Sequence, residues 1–134
     1  DGYLPPEDPV CGAARQIRAV AEVKEHFRGT DMIFIGSGYT CLQEFLPQAG
    51  QAAVRAGKTD MVGIGRMVIA YPELPADALA GGPLRTKRIC RTFGDCTTAP
   101  RGGMVSGCYP LDDFYKSRPE CECVKEIKRK FREG

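Results

Sequence analysis

The chain has 134 residues, the size of one ordinary domain, and 43% of them are hydrophobic, which is enough for a packed core and excludes general disorder. Charged residues make up 27% with a net charge of +2, so no strong field points to nucleic acid, but the balance is uneven: residues 1–83 carry 7 basic and 10 acidic side chains, residues 84–134 carry 12 and 7. No apolar run approaches the roughly 18–20 residues that span a bilayer, and the acidic, Pro-rich start DGYLPPEDP is unlike a signal peptide.

Residues 1–9 read as an extended lead-in. Asp8-Pro9 is a helix start, Asp as N-cap and Pro at the first helical position. Val10, Ala13, Ala14, Ile17, Val20, Ala21 and Phe27 then recur at helical spacing, and Gly29 closes the element. Met32-Ile33-Phe34-Ile35 is a short continuous apolar run ending at Gly36-Ser37-Gly38, the pattern of a strand buried on both faces. Thr40 with Gln43 is expected to form a capping box, and Pro47 to interrupt or restart the helix that follows. The Ala-rich stretch from Pro47 to Ala56 is helical up to Gly57. Asp60 to Ile64 is the second strand, followed by Gly65-Arg66, a helical stretch from Met67 to Ala70, and a short helix from Leu74 to Ala80.

Two strands joined by a helix make a βαβ unit, and hence a parallel pair whose carboxyl ends face one side. The two Gly turns should therefore sit together. Glycines let backbone N–H groups approach a phosphate, Ser37 adds a hydroxyl and Arg66 a guanidinium suited to bidentate contact. The spacing matches neither a Walker loop nor Gly-x-Gly-x-x-Gly, so simple strand-to-helix turns with a surface arginine are the competing reading. Residues 84–134 form a separate extension. Few periodic apolar positions fall within 85–118, which is expected to be irregular, and residues 119–133 return to helix with Val124, Ile127 and Phe131 on one face.

From Met32 to Ala80 the residues IFIGSG and AGKTDMVGIGRMVIAYPELPADALAG resemble the C-terminal end of the old yellow enzyme family, the NADH:flavin oxidoreductases, in particular the 2,4-dienoyl-CoA reductase branch. That resemblance implies an α/β fold: the C-terminal portion of a (β/α)8 TIM barrel, about strands seven and eight with their flanking helices. It implies FMN as cofactor, NAD(P)H as co-substrate and an activated alkene or enoyl compound as substrate. Gly36, Ser37, Gly38, Gly65 and Arg66 would hold the FMN phosphate. Many members carry Arg directly after the strand-seven Gly, where this chain has Ser37. The family's proton donor and carbonyl-binding residues lie earlier in the barrel, so no catalytic residue is assigned.

Seven cysteines cannot all pair internally, and five of them, Cys90, Cys96, Cys108, Cys121 and Cys123, crowd the last 45 residues. With a βα-like front half, reduced thiols and a cytoplasmic location are expected. The iron–sulfur branch of the resembled family has Cys-x2-Cys-x3-Cys-x11-Cys here. Cys96 and Cys108 keep the last spacing, Cys90 is one place off, and Ile89 and Thr92 occupy the first two ligand positions. Loss of the cluster, with Cys90, Cys96 and Cys108 left as packing residues, is preferred over a cluster completed by Cys121 or Cys123; zinc is a further alternative. Cys121 and Cys123 face different ways on a helix and are read as an exposed or partly buried pair. His26, the only histidine, is expected at the surface.

Two strands do not close a barrel of about 250 residues. Together with an Asp at position 1, this leads to the expectation of a part of a larger polypeptide, or of a chain completed by other chains, with an oligomer expected and no nucleic acid or membrane partner. A non-catalytic βαβ module binding a phosphate-bearing ligand or a protein is the alternative.

Overall fold

A computed structural model describes residues 7–133, with side chains through Phe131, so the first six residues of the lead-in lie outside the described residues. The chain is a mixed α/β protein. Helix α1 (Pro9–His26) leads into strand β1 (Ile35–Gly36), a 3-10 segment (Tyr39–Phe45), helix α2 (Leu46–Arg55), strand β2 (Met61–Val62) and helices α3 (Gly65–Ala70) and α4 (Leu74–Leu79). The extension adds a 3-10 turn (Thr86–Arg88) and helices α5 (Asp95–Arg101), α6 (Asp113–Lys116) and α7 (Glu120–Glu133).

Local chemistry sets the helix ends. The Asp8 carboxylate accepts from the Val10 N–H at 2.8 Å with Pro9 at the start of α1, as the sequence predicts. Pro47 restarts the chain as α2 rather than breaking it, because a proline in the first turn has no N–H bond to lose. The expected Thr40–Gln43 capping box does not form. Thr40 is buried, Gln43 takes φ 52 and ψ −123, and the segment winds as a 3-10 helix without a side-chain cap.

The strands pair in parallel, Ile35 with Met61 and Gly36 with Val62. They are shorter than the expected runs 32–35 and 60–64. Side chains replace part of the ladder: the Asp60 carboxylate accepts from the Phe34 N–H at 2.9 Å, and the buried Thr59 hydroxyl accepts from the Gly36 N–H at 2.8 Å. Helix α1 packs on β1 and α2 on β2, where a Cβ at Gly50 would stand 3.2 Å from Val62 Cγ2. Burial on both faces is corrected. Ile35 is 60% exposed and Met61 52%, with Met32 and Ile33 exposed beside them, because the helices cover one face and no described element covers the other.

The main core gathers Tyr39, Leu46, Met67, Tyr71 and Leu74 with Ile89, Cys90 and Cys108, so it draws on both sides of residue 83. A second, smaller core holds Ala99, Tyr109, Cys121 and Val124. The stretch 85–118 is therefore not wholly irregular: α5 and α6 form within it, and α7 packs on α5. Among the described residues, no helix is long and apolar enough to cross a membrane.

Candidate functional site

Parallel pairing brings the two glycine turns together. The Gly63 N–H donates to the Gly36 carbonyl at 2.7 Å, extending the strand register by one residue, and the chain then turns from β2 into α3 as it turned from β1 into the 3-10 segment. Gly36 is buried against Tyr39 and Thr59, whereas Ser37 and Gly38 are exposed. Gly38 takes φ +88, a conformation costly for any residue with a Cβ, and the Cys41 thiol lies 3.0 Å from its carbonyl oxygen as donor.

On the second turn, a Cβ at Gly65 would meet nothing within 4 Å, so the backbone there faces open space. Helix α3 begins after Ile64 with no side-chain cap, which leaves its first-turn N–H groups as free donors. Arg66 is exposed, and among the described residues its side chain makes no hydrogen bond or ion pair. Gly36, Ser37, Gly38, Gly65 and Arg66 thus share one end of the strand pair. Open donors, a hydroxyl and an unpaired guanidinium suit a phosphate monoester such as that of FMN.

The three tail cysteines converge on the same corner. Cys90, Cys96 and Cys108 line a cavity of about 20 Å3 together with Arg66, Phe93 and Asp95. Burial raises the Cys96 thiol above the ordinary range, with the Arg66 charge pulling the other way. Burial raises Cys108 as well, opposed by a hydrogen bond from the Leu111 backbone. The Thr92 N–H lies 3.4 Å from Cys90 Sγ, and the Cys90 N–H 3.3 Å from Met67 Sδ.

These residues do not fit a four-iron cluster. Only three thiols meet, and the cavity admits about one water-sized atom. Ile89 is buried in the main core, Cys121 in the second, and Cys123 is exposed. Among the described residues no group of three or more His, Cys, Asp or Glu side chains is arranged to hold a metal ion. Cys121 is more buried than the sequence suggested, since it lies one turn before Val124 on the packed face of α7; Cys123 does point elsewhere. His26 is exposed at the end of α1.

Sequence reasoning did not foresee that the extension reaches Arg66. Phe93, Asp95 and the Lys128 that binds Asp95 are separated from it by 27 or more positions and carry no shared motif. No protein-family model, curated protein or solved structure matches the chain.

Proposed function

We propose that the chain is the FMN-phosphate-binding, C-terminal part of a (β/α)8 flavin oxidoreductase of the old yellow enzyme type. The reading rests on one observation: two glycine turns at the carboxyl ends of adjacent parallel strands, exposed at Ser37–Gly38 and Gly65–Arg66, with uncapped amides on the second and the Arg66 side chain unpaired among the described residues. The phosphate would sit between Gly36–Gly38 and Gly65–Arg66. Ser37 supplies a hydroxyl donor, the start of α3 supplies backbone donors, and Arg66 neutralises charge. Bound FMN would accept hydride from NAD(P)H and pass it to an activated alkene or enoyl substrate. This chain's own contribution is binding and orientation, and no side chain in it is assigned to proton transfer. Further strands, from the same polypeptide or other chains, would pair with the open edges of β1 and β2 and, on closing the barrel, cover the exposed face that carries Ile33, Ile35 and Met61.

FMN titration followed by flavin fluorescence tests the reading. Arg66→Ala should weaken binding by about 1.5–3 kcal/mol, the loss of a charge-assisted bond. Equal FMN affinity in wild type and variant would remove the site. Tight binding of inorganic phosphate with no uptake of flavin would instead favour a non-catalytic module using the same turns.

A further inference from the structure

Arg66 and Asp95 line one small cavity, and both charges act on Cys96, Arg66 pulling its thiol down and Asp95 pushing it up. A guanidinium and a carboxylate so placed ordinarily pair, yet these two do not. Asp95 is engaged instead by the Lys128 ammonium of α7, which also donates to the Phe93 carbonyl at 2.8 Å. The side chains of Lys128 and Asp95 are only 16% and 10% exposed, so water screens the pair little. The turn that carries Asp95 is fixed. Thr92 and Gly94 take φ 57 and φ 87, and the Thr97 and Thr98 hydroxyls donate to the Gly94 carbonyl at 2.7 and 3.2 Å.

We propose that Lys128 is a positioning residue for the anion site: by holding the Asp95 carboxylate, it leaves the Arg66 guanidinium unpaired and open to phosphate. The proposal rests on the phosphate-binding reading of the glycine turns. Without the Lys128 charge, Asp95 is a buried carboxylate in need of a partner, and Arg66 is the unpaired cation lining its cavity. An incoming phosphate must then displace Asp95 from Arg66. The C-terminal helix thereby sets the affinity of a site built on the strand ends.

The full chain and its Arg66→Ala, Lys128→Met, Asp95→Asn and Asp95→Asn/Lys128→Met variants, titrated calorimetrically with FMN and with inorganic phosphate, test this. Lys128→Met should bind both at least about tenfold more weakly, the scale of one charge-assisted contact. The double variant should recover to within about threefold of wild type, because neither the competing carboxylate nor its guard is present. A purely structural role for Lys128 makes the double variant as weak as Lys128→Met or weaker, and that result overturns the proposal, as does unchanged affinity in Lys128→Met. Thermal melts report whether Lys128→Met folds. Where it does not, the Asp95→Asn pair with and without Lys128 decides: equal affinities support the proposal and a drop in the double variant overturns it. Loss of binding in Arg66→Ala with full binding in Lys128→Met removes only the positioning role. A wild-type chain that binds neither probe removes the phosphate-binding reading and this inference with it.

Discussion

Residues 9–83 and residues 84–133 are ordered by different means. The front is built from regular elements, helices and a parallel strand pair, and most of its backbone groups bond to other backbone groups. The extension ends in the 14-residue α7, but before it residues 84–119 are short helices and turns in which side chains also reach the backbone. Tyr109 donates to the Val105 carbonyl, Ser106 to the Cys96 carbonyl, Thr97 and Thr98 to the Gly94 carbonyl, and Lys128 to the Phe93 carbonyl. Buried backbone groups must find partners either way. A periodic segment finds them in itself; an irregular one needs particular side chains at particular places. The front should therefore yield to changes in core volume, and the extension to the loss of single polar contacts.

The residue that joins the two regions offers the largest test. Met67 is fully buried, belongs to the front, and its sulfur receives the Cys90 N–H. Met67→Ala should cost about 2–5 kcal/mol in denaturant unfolding, transfer and cavity terms together. A loss confined to one half, seen as two separated transitions, would show that the regions unfold independently.

Thr59 shows the same method at work in the front, beside the Asp60 carboxylate that accepts the Phe34 N–H. Its hydroxyl accepts the Gly36 N–H and lies 2.8 Å from both the Phe34 and Met61 carbonyl oxygens as donor. Thr59→Val keeps the shape and strands the Gly36 N–H, an expected cost of about 1–3 kcal/mol. Hydrogen exchange at Gly36 should speed up in parallel; an unchanged rate there would mean the amide has another partner.

Tyr109→Phe removes only the hydroxyl that holds the Val105 carbonyl, leaving the ring in the second core. About 0.5–1.5 kcal/mol should be lost. A variant as stable as wild type would say that the extension is held by its core rather than by polar contacts, and the contrast with the front would fall.

The smallest effect is electrostatic. Lys24 on α1 binds Asp60 beside β2, and the Asp60 carboxyl is held below its ordinary range chiefly by that hydrogen bond, then by the Phe34 N–H. A depressed carboxyl pKa stabilises the fold above the unfolded value, about 3.9, and the contribution fades as pH falls through the folded value. Asp60→Asn should thus be less stable than wild type near neutrality, with the gap closing in acid. A gap that stays constant down to pH 2 would deny the pair any role in stability.

Much of the front was legible because its signals are local. Asp8-Pro9 caps one helix, Pro47 opens another, and glycine punctuation after each apolar run marks where strands end. The strand faces were misjudged for a reason equally physical. A continuous apolar run records what a strand can bury, and the exposure of Ile35 and Met61 depends on which elements lie against it. The Thr40–Gln43 cap does not form because Thr40 is buried next to the core residue Tyr39 and Gln43 leaves helical φ/ψ, so the segment follows tertiary packing instead of its own cap chemistry.

The sequence alone determined the order of the main helices and strands from Pro9 to Leu79 and their parallel pairing, since propensity, capping and chain direction are properties of neighbouring residues, and it nominated the five residues of the candidate site. Only the tertiary structure decided that Cys90, Cys96 and Cys108 line one small cavity, that Cys121 belongs to a different core, and that Asp95, bound by Lys128, lines that cavity with Arg66. Contacts between residues tens of positions apart leave no periodic trace in the chain. They follow from how helices stack once apolar surface is removed from water, and the charge that surrounds Arg66 is set by that stacking.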